Sequence, residues 1–321
     1  MNTKELKKYI TSLGIQAKNA AELLAHIPSD KKNLALEELK RNLKVYKNEI
    51  IEINNKDIEN AYKSNLSTSI IDRLTLNQDR IEEIIKSVDE IIKLKDPVNN
   101  ILSEWRRPNG LKIQKISVPI GVIGMIYESR PNVTVDASVI AFKAGNAIIL
   151  RGGKDSYYSS KKLKDIIDLS FINSGIPENT IQMINTIDRR AVDEMLQLNK
   201  YLDVIIPRGG KKLIKKINDK SSIPVIKHLD GICHVFVEKN ADLKKAKEII
   251  FNSKMRRPGI CGAAETILID KSHSSQILNL IQPLVDKKCE IRGDKFISTL
   301  HPNFKKANNK DWETEYLDKI I

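Results

Sequence analysis

The sequence is poor in cysteine and aromatic residues and has no long hydrophobic run. Only 3 of its 321 residues are cysteines, and Phe, Trp and Tyr together make up 5%. No apolar stretch approaches the about 20 residues that a membrane-spanning helix needs. The N-terminal stretch MNTKELKKYITSLG also lacks the apolar core of a secretory signal. These absences predict a cytoplasmic protein with free thiols and no membrane partner.

An excess of positive charge raises the question of a nucleic-acid partner. The formal net charge is +13, but the basic residues are mostly lysines scattered along the chain. Their densest clusters, GGKKLIKK and SSKKLKD, fall where a helix would expose them to solvent, and few aromatic residues are available to stack on bases. We therefore interpret them as solvated helix surfaces and expect no nucleic-acid partner. A basic nucleic-acid-binding protein is the alternative.

The hydrophobic pattern predicts an α/β fold. In LNQDRIEEIIKSVDEIIKLKD, apolar residues recur at helical spacing between a candidate cap at Asn77 and a stop at Asp96-Pro97. From Asn109 onward GLKIQKISV alternates like a strand, and short β-branched runs then alternate with helical segments. The runs are IGVIGMIY, NAIILR, IQMINT, LDVIIPR, IPVIKH, CHVFVEK and ETILID. This alternation predicts a parallel sheet with helices on both faces.

The tetrapeptide Arg-Gly-Gly-Lys occurs twice, each time where an apolar strand ends and a helix begins. Residues 151–154 follow AIIL, and residues 208–211 follow VIIP. Basic glycine turns at the carboxyl ends of parallel strands suit a phosphate-bearing ligand and therefore suggest a nucleotide. Ordinary solvated turns are the alternative. A standard dinucleotide site is not supported, because no G-x-G-x-x-G follows a strand.

Cys261 lies on a glycine-flanked turn in MRRPGICGAAETILID and is a candidate nucleophile. Arg256 and Arg257 bring positive charge, which favours a thiolate, and Gly259 and Gly262 permit an exposed turn with free backbone N–H groups. The alternative is a buried, inert cysteine, which is also how we interpret Cys233 and Cys289.

Asn132 is a candidate oxyanion donor. It follows Pro131 at the predicted end of a strand, where an amide N–H could stabilise a tetrahedral intermediate. The sequence alone favours the alternative, in which Asn132 caps the next helix. No metal site is expected. The stretch HLDGICH gathers His228, Cys233 and His234, but its spacing is unlike that of zinc ligands.

Five segments together resemble the gamma-glutamyl phosphate reductases, a family of the aldehyde dehydrogenase superfamily. They are SVPIGVIGMIYESRPNVTVDASVIAFKAGNAIILRGGK, IIPRGGKKLI, IKHLDGICHVFVEKNADL, RRPGICGAAETILID and DWETEYLD. The resemblance implies an aldehyde-dehydrogenase-like fold with two domains. Residues 1–229 would form a helical layer and an NADPH-binding α/β domain, with a strand extension near residues 109–120 for oligomerisation. Residues 230–321 would form an incomplete α/β catalytic domain.

The resemblance also implies NADPH-dependent reduction of L-glutamate 5-phosphate to L-glutamate 5-semialdehyde in proline biosynthesis. Cys261 would be the catalytic cysteine, which forms a thioacyl intermediate, and Asn132 the oxyanion-hole amide. The expected cofactor-binding residues are Arg151, Gly152 and Lys154 at the adenosine ribose and Arg208, Gly209 and Gly210 at the diphosphate. Residues 227–230 carry no glutamate at the place where hydrolytic relatives activate water.

Two features depart from the family pattern. Gly262 stands where many relatives have Asn, and the chain stops at Ile321 while relatives continue. We expect a homo-oligomer if the chain is complete, or else a separate C-terminal fragment as partner. An inactive or split-gene fragment of the enzyme is the alternative to a working reductase.

Overall fold

The computed structural model describes residues 1–227 and 231–321, apart from the side chain of Ser69. The chain divides into two compact units, Met1–Lys227 and His228–Ile321. The boundary expected between residues 229 and 230 falls outside the described residues, as does the glutamate-free stretch at residues 228–230. Within the described ranges, no helix combines the length and apolarity needed to cross a bilayer.

A layer of five helices opens the first unit. They are α1 (Thr3–Leu24), α2 (Ser29–Val45), α3 (Lys47–Lys63), α4 (Thr68–Leu74) and α5 (Gln78–Lys93). The predicted cap of α5 is confirmed, because Asn77 Oδ1 accepts the Arg80 N–H at 2.9 Å. The helix ends three residues before the expected stop. Asp96 lies beyond it and forms an ion pair with the buried Lys32 at 2.9 Å.

A four-stranded parallel sheet forms the centre of this unit. Its strands are β3 (Val122–Tyr127), β4 (Ala147–Arg151), β5 (Ile181–Met183) and β6 (Val204–Arg208). They are joined or followed by α6 (Val133–Lys143), α7 (Tyr157–Asn173), α8 (Arg190–Met195) and α9 (Lys211–Lys220). The spatial order is β5–β4–β3–β6. The chain thus builds outward from β3 and then places β6 on the other side of β3.

Helices cover both faces of the sheet, as the sequence predicts. Alternate residues of β3 enter different cores: Ile123 and Met125 pack with α2, α5, α6 and α7, whereas Val122 and Ile126 pack with α1, α8 and α9. Every residue of β3 and β4 is buried. Burial on both sides explains why these strands read as continuous apolar runs.

One predicted strand is wrong. Its described residues, 223–227 of IPVIKH, form only a single bridge, between Val225 and Ile205 at the edge of β6. Ile205 donates to the Pro224 carbonyl and Ile226 donates back to the Ile205 carbonyl, both at 2.9 Å. Because Pro224 has no N–H, the ladder cannot continue through it.

The cap of α7 comes from a different helix. The residue before α7, Ser156, makes no side-chain capping bond. Asp57 of α3 instead accepts the Ser159 N–H at 2.8 Å, the Ser159 hydroxyl at 2.6 Å and the Tyr158 N–H at 3.3 Å. Asp57 is 2% exposed, and burial raises the pKa of its carboxyl although these donors act in the opposite direction. The start of α7 therefore depends on docking of α3.

An antiparallel hairpin precedes the main sheet. Its strands are β1 (Ile101–Arg106) and β2 (Lys112–Ile116), of which only the second was expected. All six residues of β1 are exposed. Ile101, Leu102 and Trp105 present large apolar side chains to solvent.

The second unit pairs β7 (Cys233–Val237) in parallel with β8 (Ala264–Ile269) and packs α10 (Leu243–Met255) against α11 (Ile277–Asp286). Two short strands, β9 (Arg292–Gly293) and β10 (Lys305–Lys306), pair in parallel near the end of the chain. A cavity of about 520 Å³ follows β8 and is lined by six consecutive residues from Glu265 to Asp270. Because successive strand residues point to opposite faces, this cavity runs along the edge of β8.

Candidate active site

The order of strands in the first unit reverses between β3 and β6, and the carboxyl ends of these two strands meet there. In open parallel sheets such a reversal leaves a crevice that binds ligands. The Glu128 N–H donates to the Arg208 carbonyl at 3.1 Å, and the Gly210 N–H donates to Glu128 Oε2 at 3.1 Å. A Cβ on Gly209 would lie 2.6 Å from the same oxygen, so a larger residue at this position would displace the Glu128 side chain from the turn. The turn after β6 is thus fixed against the residue that follows β3.

Asn132 lies next to this crevice, immediately before α6. Its backbone is helical, with φ of −56° and ψ of −30°, and its side chain makes no capping bond. The Nδ2 group instead donates to Asp136 Oδ2 at 2.8 Å. Burial raises the pKa of Asp136, while the Asn132 bond and the charge of Arg208 lower it. One Nδ2 hydrogen is thereby oriented by Asp136, and the second finds no acceptor among the described residues.

Ser129 is a strained residue beside the crevice. It adopts a φ of 45°, which is the left-handed region that a non-glycine residue rarely occupies. Such strain costs roughly 1–3 kcal/mol and is concentrated at functional sites.

Arg151 and Lys154 lie at the carboxyl end of β4 in very different environments. Arg151 is only 6% exposed, and its guanidinium donates to the carbonyls of Ile187 at 3.2 Å and Asp188 at 3.5 Å. Its Nε is buried and has no hydrogen-bond partner within the described part of the chain. Lys154 is exposed. The predicted ribose-binding residues are therefore one buried guanidinium and one solvated ammonium on the same edge of the sheet.

Cys261 belongs to the second unit and is exposed, on a turn between α10 and β8. The turn is closed by the Ala263 N–H, which donates to the Ile260 carbonyl at 2.9 Å. A Cβ on Gly231 would lie 2.3 Å from the Cys261 carbonyl oxygen, so only glycine fits there. The Cys233 thiol contacts the same oxygen at 3.4 Å. The interpretation of Cys261 as a buried filler is thus wrong, and the thiol is accessible to a substrate.

The other two cysteines differ from each other. Cys289 is 6% exposed, and burial raises the pKa of its thiol to about 11, so the prediction of a buried cysteine is confirmed. Cys233 is only half-buried, so the prediction that it is a buried cysteine is wrong. All three are free thiols. Among the described residues, no group of three His, Cys, Asp or Glu side chains is placed to hold a metal ion.

Sequence reasoning missed Glu128 and Asp136, the two carboxylates that hold the Gly210 turn and the Asn132 amide in place at the crevice. Both lie within the quoted segment YESRPNVTVDAS, next to Asn132. The available signal was the i, i+4 spacing of Asn132 and Asp136, which places both on one side of a helix. No local signal links Glu128 to a turn 82 positions later.

Comparison with known proteins gives consistent matches. The model of the aldehyde dehydrogenase family matches residues 6–296. A gamma-glutamyl phosphate reductase of Bartonella tribocorum is 46% identical over 310 residues, which are 96% of this chain and 76% of the relative. One from Paramagnetospirillum magneticum is 45% identical and covers 100% of this chain and 76% of its own length. The crystal structure of gamma-glutamyl phosphate reductase from Thermotoga maritima is 40% identical with a TM-score of 0.91, covering 97% of this chain and 76% of that one.

Proposed function

Because the chain belongs to the aldehyde dehydrogenase family, and relatives 45–46% identical to it are gamma-glutamyl phosphate reductases, we propose that it reduces L-glutamate 5-phosphate. The products are L-glutamate 5-semialdehyde and phosphate, within proline biosynthesis. The observation that carries the proposal is that Cys261 is exposed on its turn. The carbonyl of Cys261 packs so closely against residue 231 that only glycine fits there.

Cys261 is the nucleophile in the proposed reaction. Its thiolate attacks the acyl carbon, a C–S bond forms, the bond from carbon to the phosphate oxygen breaks, and phosphate leaves with the electron pair. A thioacyl enzyme results. The Asn132 amide and the Cys261 backbone N–H are assigned to the oxyanion that forms during attack. Asp136 supports this role because it orients the Asn132 amide at 2.8 Å.

The first unit fits a phosphorylated nicotinamide cofactor. The buried Arg151 Nε lacks an acceptor among the residues that the structure describes, and such a donor suits an anionic ligand at this edge of the sheet. The Gly210 N–H already donates to a carboxylate oxygen, that of Glu128, so an anionic acceptor is compatible with the second glycine turn. Arg151, Gly152 and Lys154 would hold the adenosine ribose of NADPH, and Arg208, Gly209 and Gly210 its diphosphate. When bound, NADPH supplies the hydride that reduces the thioester.

We also propose a cytoplasmic homo-oligomer. The three free thiols support a reducing compartment. The exposed apolar side chains of the β1–β2 hairpin support burial against a second copy, because a hairpin of two strands is marginal by itself in water. Light scattering on the wild-type chain and on a Trp105→Lys variant tests this. A wild-type monomer at micromolar concentration would contradict it.

A reverse assay tests the proposed reaction. Purified protein is mixed with glutamate 5-semialdehyde and NADP⁺, and absorbance at about 340 nm is followed with and without inorganic phosphate. We expect reduction of NADP⁺ only when phosphate is present, because phosphate must release the acyl group from Cys261. Equal rates without phosphate would show hydrolysis and overturn the proposal, as would the absence of any reduction.

A further inference from the structure

The segment between β5 and α8 lies across the carboxyl end of β4. The Ile184 N–H donates to the Leu150 carbonyl at 2.9 Å. Further along, the carbonyls of Ile187 and Asp188 accept hydrogen bonds from the Arg151 guanidinium. The buried guanidinium thus holds this segment in place, and the residue that follows Asp188 is Arg189.

Arg151 and Arg189 carry like charges that act on each other, and neither forms an ion pair within the described part of the chain. Among the described residues, neither guanidinium has a carboxylate oxygen within ion-pair distance, and Arg189 is exposed without a side-chain hydrogen bond. Burial lowers the pKa of Arg151 most and the charge of Arg189 lowers it further, while the charges of Asp188 and Glu128 act in the opposite direction. Two close positive charges and a buried N–H without an acceptor are the arrangement that binds an anion.

The neighbouring carboxylate, that of Asp188, is already paired with Arg190. Arg190 donates from Nε to Asp188 Oδ2 at 2.9 Å and from Nη2 to the same oxygen at 2.7 Å, and its backbone N–H reaches Oδ1 at 2.9 Å. Thr3 Oγ1 accepts from the other side of the Arg190 guanidinium at 3.2 Å. These contacts hold the pKa of Asp188 below its ordinary value.

This combination distinguishes between two cofactors. In dinucleotide sites a carboxylate accepts a hydrogen bond from the ribose 2′-hydroxyl of NAD, whereas an arginine accommodates the 2′-phosphate of NADP. Here the carboxylate is paired with Arg190 and the arginine is free. A 2′-phosphate would meet the positive charge of Arg189, whereas the acid next to Arg189, Asp188, is already paired and is not available to a 2′-hydroxyl.

We propose that Arg189 binds the 2′-phosphate of NADPH and determines the preference for it over NADH, and that Arg190 is a positioning residue that keeps Asp188 from repelling this phosphate. The inference rests on the cofactor of the proposed function and adds residues that sequence reasoning did not select. The ligand class is an adenine nucleotide with a phosphate on the 2′-oxygen.

Calorimetric titration of the full chain with 2′,5′-ADP and, separately, with 5′-AMP tests the proposal. The wild type is expected to bind 2′,5′-ADP more tightly. Arg189→Ala should weaken 2′,5′-ADP about 10-fold or more, the effect of one charge-assisted hydrogen bond, and leave 5′-AMP unchanged. Arg41→Ala is the matched control, since it removes an exposed arginine from α2 and should alter neither affinity.

The role of Arg190 has its own test. Arg190→Ala should weaken 2′,5′-ADP because it frees the Asp188 carboxylate, and adding Asp188→Asn should restore most of the lost affinity. A merely structural role would give no such rescue. Equal losses for both nucleotides in Arg189→Ala, or no loss for either, would overturn the proposal. The titration needs no acyl phosphate, so its outcome is independent of the reverse assay.

Discussion

Lys254 and Glu265 form a fully buried ion pair at the two ends of the Cys261 turn. The Lys254 Nζ lies 2.8 Å from Glu265 Oε2, and their side chains are 0% and 1% exposed. Lys254 is in the last turn of α10, and Glu265 is the second residue of β8. The pair therefore closes the segment that carries the nucleophile. Buried ion pairs seldom add net stability, so we infer that the role of this pair is to fix the positions of the two ends of the segment.

Removing one partner of this pair should be costly. Lys254→Met leaves the Glu265 carboxylate buried with the Leu317 N–H as a donor but without a cation, and should lower the free energy of unfolding by about 3–5 kcal/mol in urea titrations. The double variant Lys254→Met, Glu265→Leu should recover most of that stability, because neither charge remains. A double variant as unstable as the single one would show that the pair itself stabilises the fold.

Replacing the nucleophile should separate chemistry from binding. Cys261→Ala is expected to lower phosphate-dependent turnover by roughly 10⁴-fold or more, since no other group forms the thioacyl enzyme. Its affinity for NADPH, measured by fluorescence, should stay near that of the wild type. Cys289→Ala is the control, because this cysteine is buried at 6% exposure. Substantial residual turnover in Cys261→Ala would exclude the covalent route.

The cysteines should also differ in their response to pH. With a pKa of about 11, Cys289 keeps its proton at pH 8, whereas Cys261 is exposed. Iodoacetamide at pH 8 should therefore modify Cys261 first and Cys289 only in urea, as peptide mass spectrometry would show. Because folding raises this pKa from an ordinary value of 9.0, the stability linked to the Cys289 proton is full below pH 9 and is lost as pH rises through 11. Rapid native labelling of Cys289 would contradict its burial.

Asn132 should affect the transition state more than substrate binding. Asn132→Ala removes the proposed oxyanion donor and should lower kcat by about 10²–10³-fold with little change in KM. Asp136→Asn should cause a smaller loss, because it weakens only the orientation of the amide. Asn240→Ala, a turn residue of the second unit bonded to Glu238, should leave kcat unchanged. An unaltered kcat in Asn132→Ala would remove this residue from the mechanism.

The features that sequence alone predicts are those encoded locally. The buried strands β3 and β4 appear as apolar runs, and the Asn77 cap lies three residues from the amide that it binds. The exposed hairpin strand β1 carries no alternating pattern against a core, so it gave no such signal. The crevice depends on β6 returning to the other side of β3, which brings Glu128 to Gly210. The contact between Glu128 and Gly210 follows from the order of the strands in the sheet, and neither the sequence around Glu128 nor that around Gly210 predicts it.

The nonlocal cap of α7 has a consequence for the folding pathway. Ser159 receives its capping carboxylate from Asp57, 102 positions earlier in the chain. An isolated α7 peptide of 17 residues would start without this acceptor and without the tertiary packing that supplies most of the stability of helices in proteins. A transition state in which α3 and α7 are already docked predicts that substitutions at Asp57 slow refolding rather than accelerate unfolding.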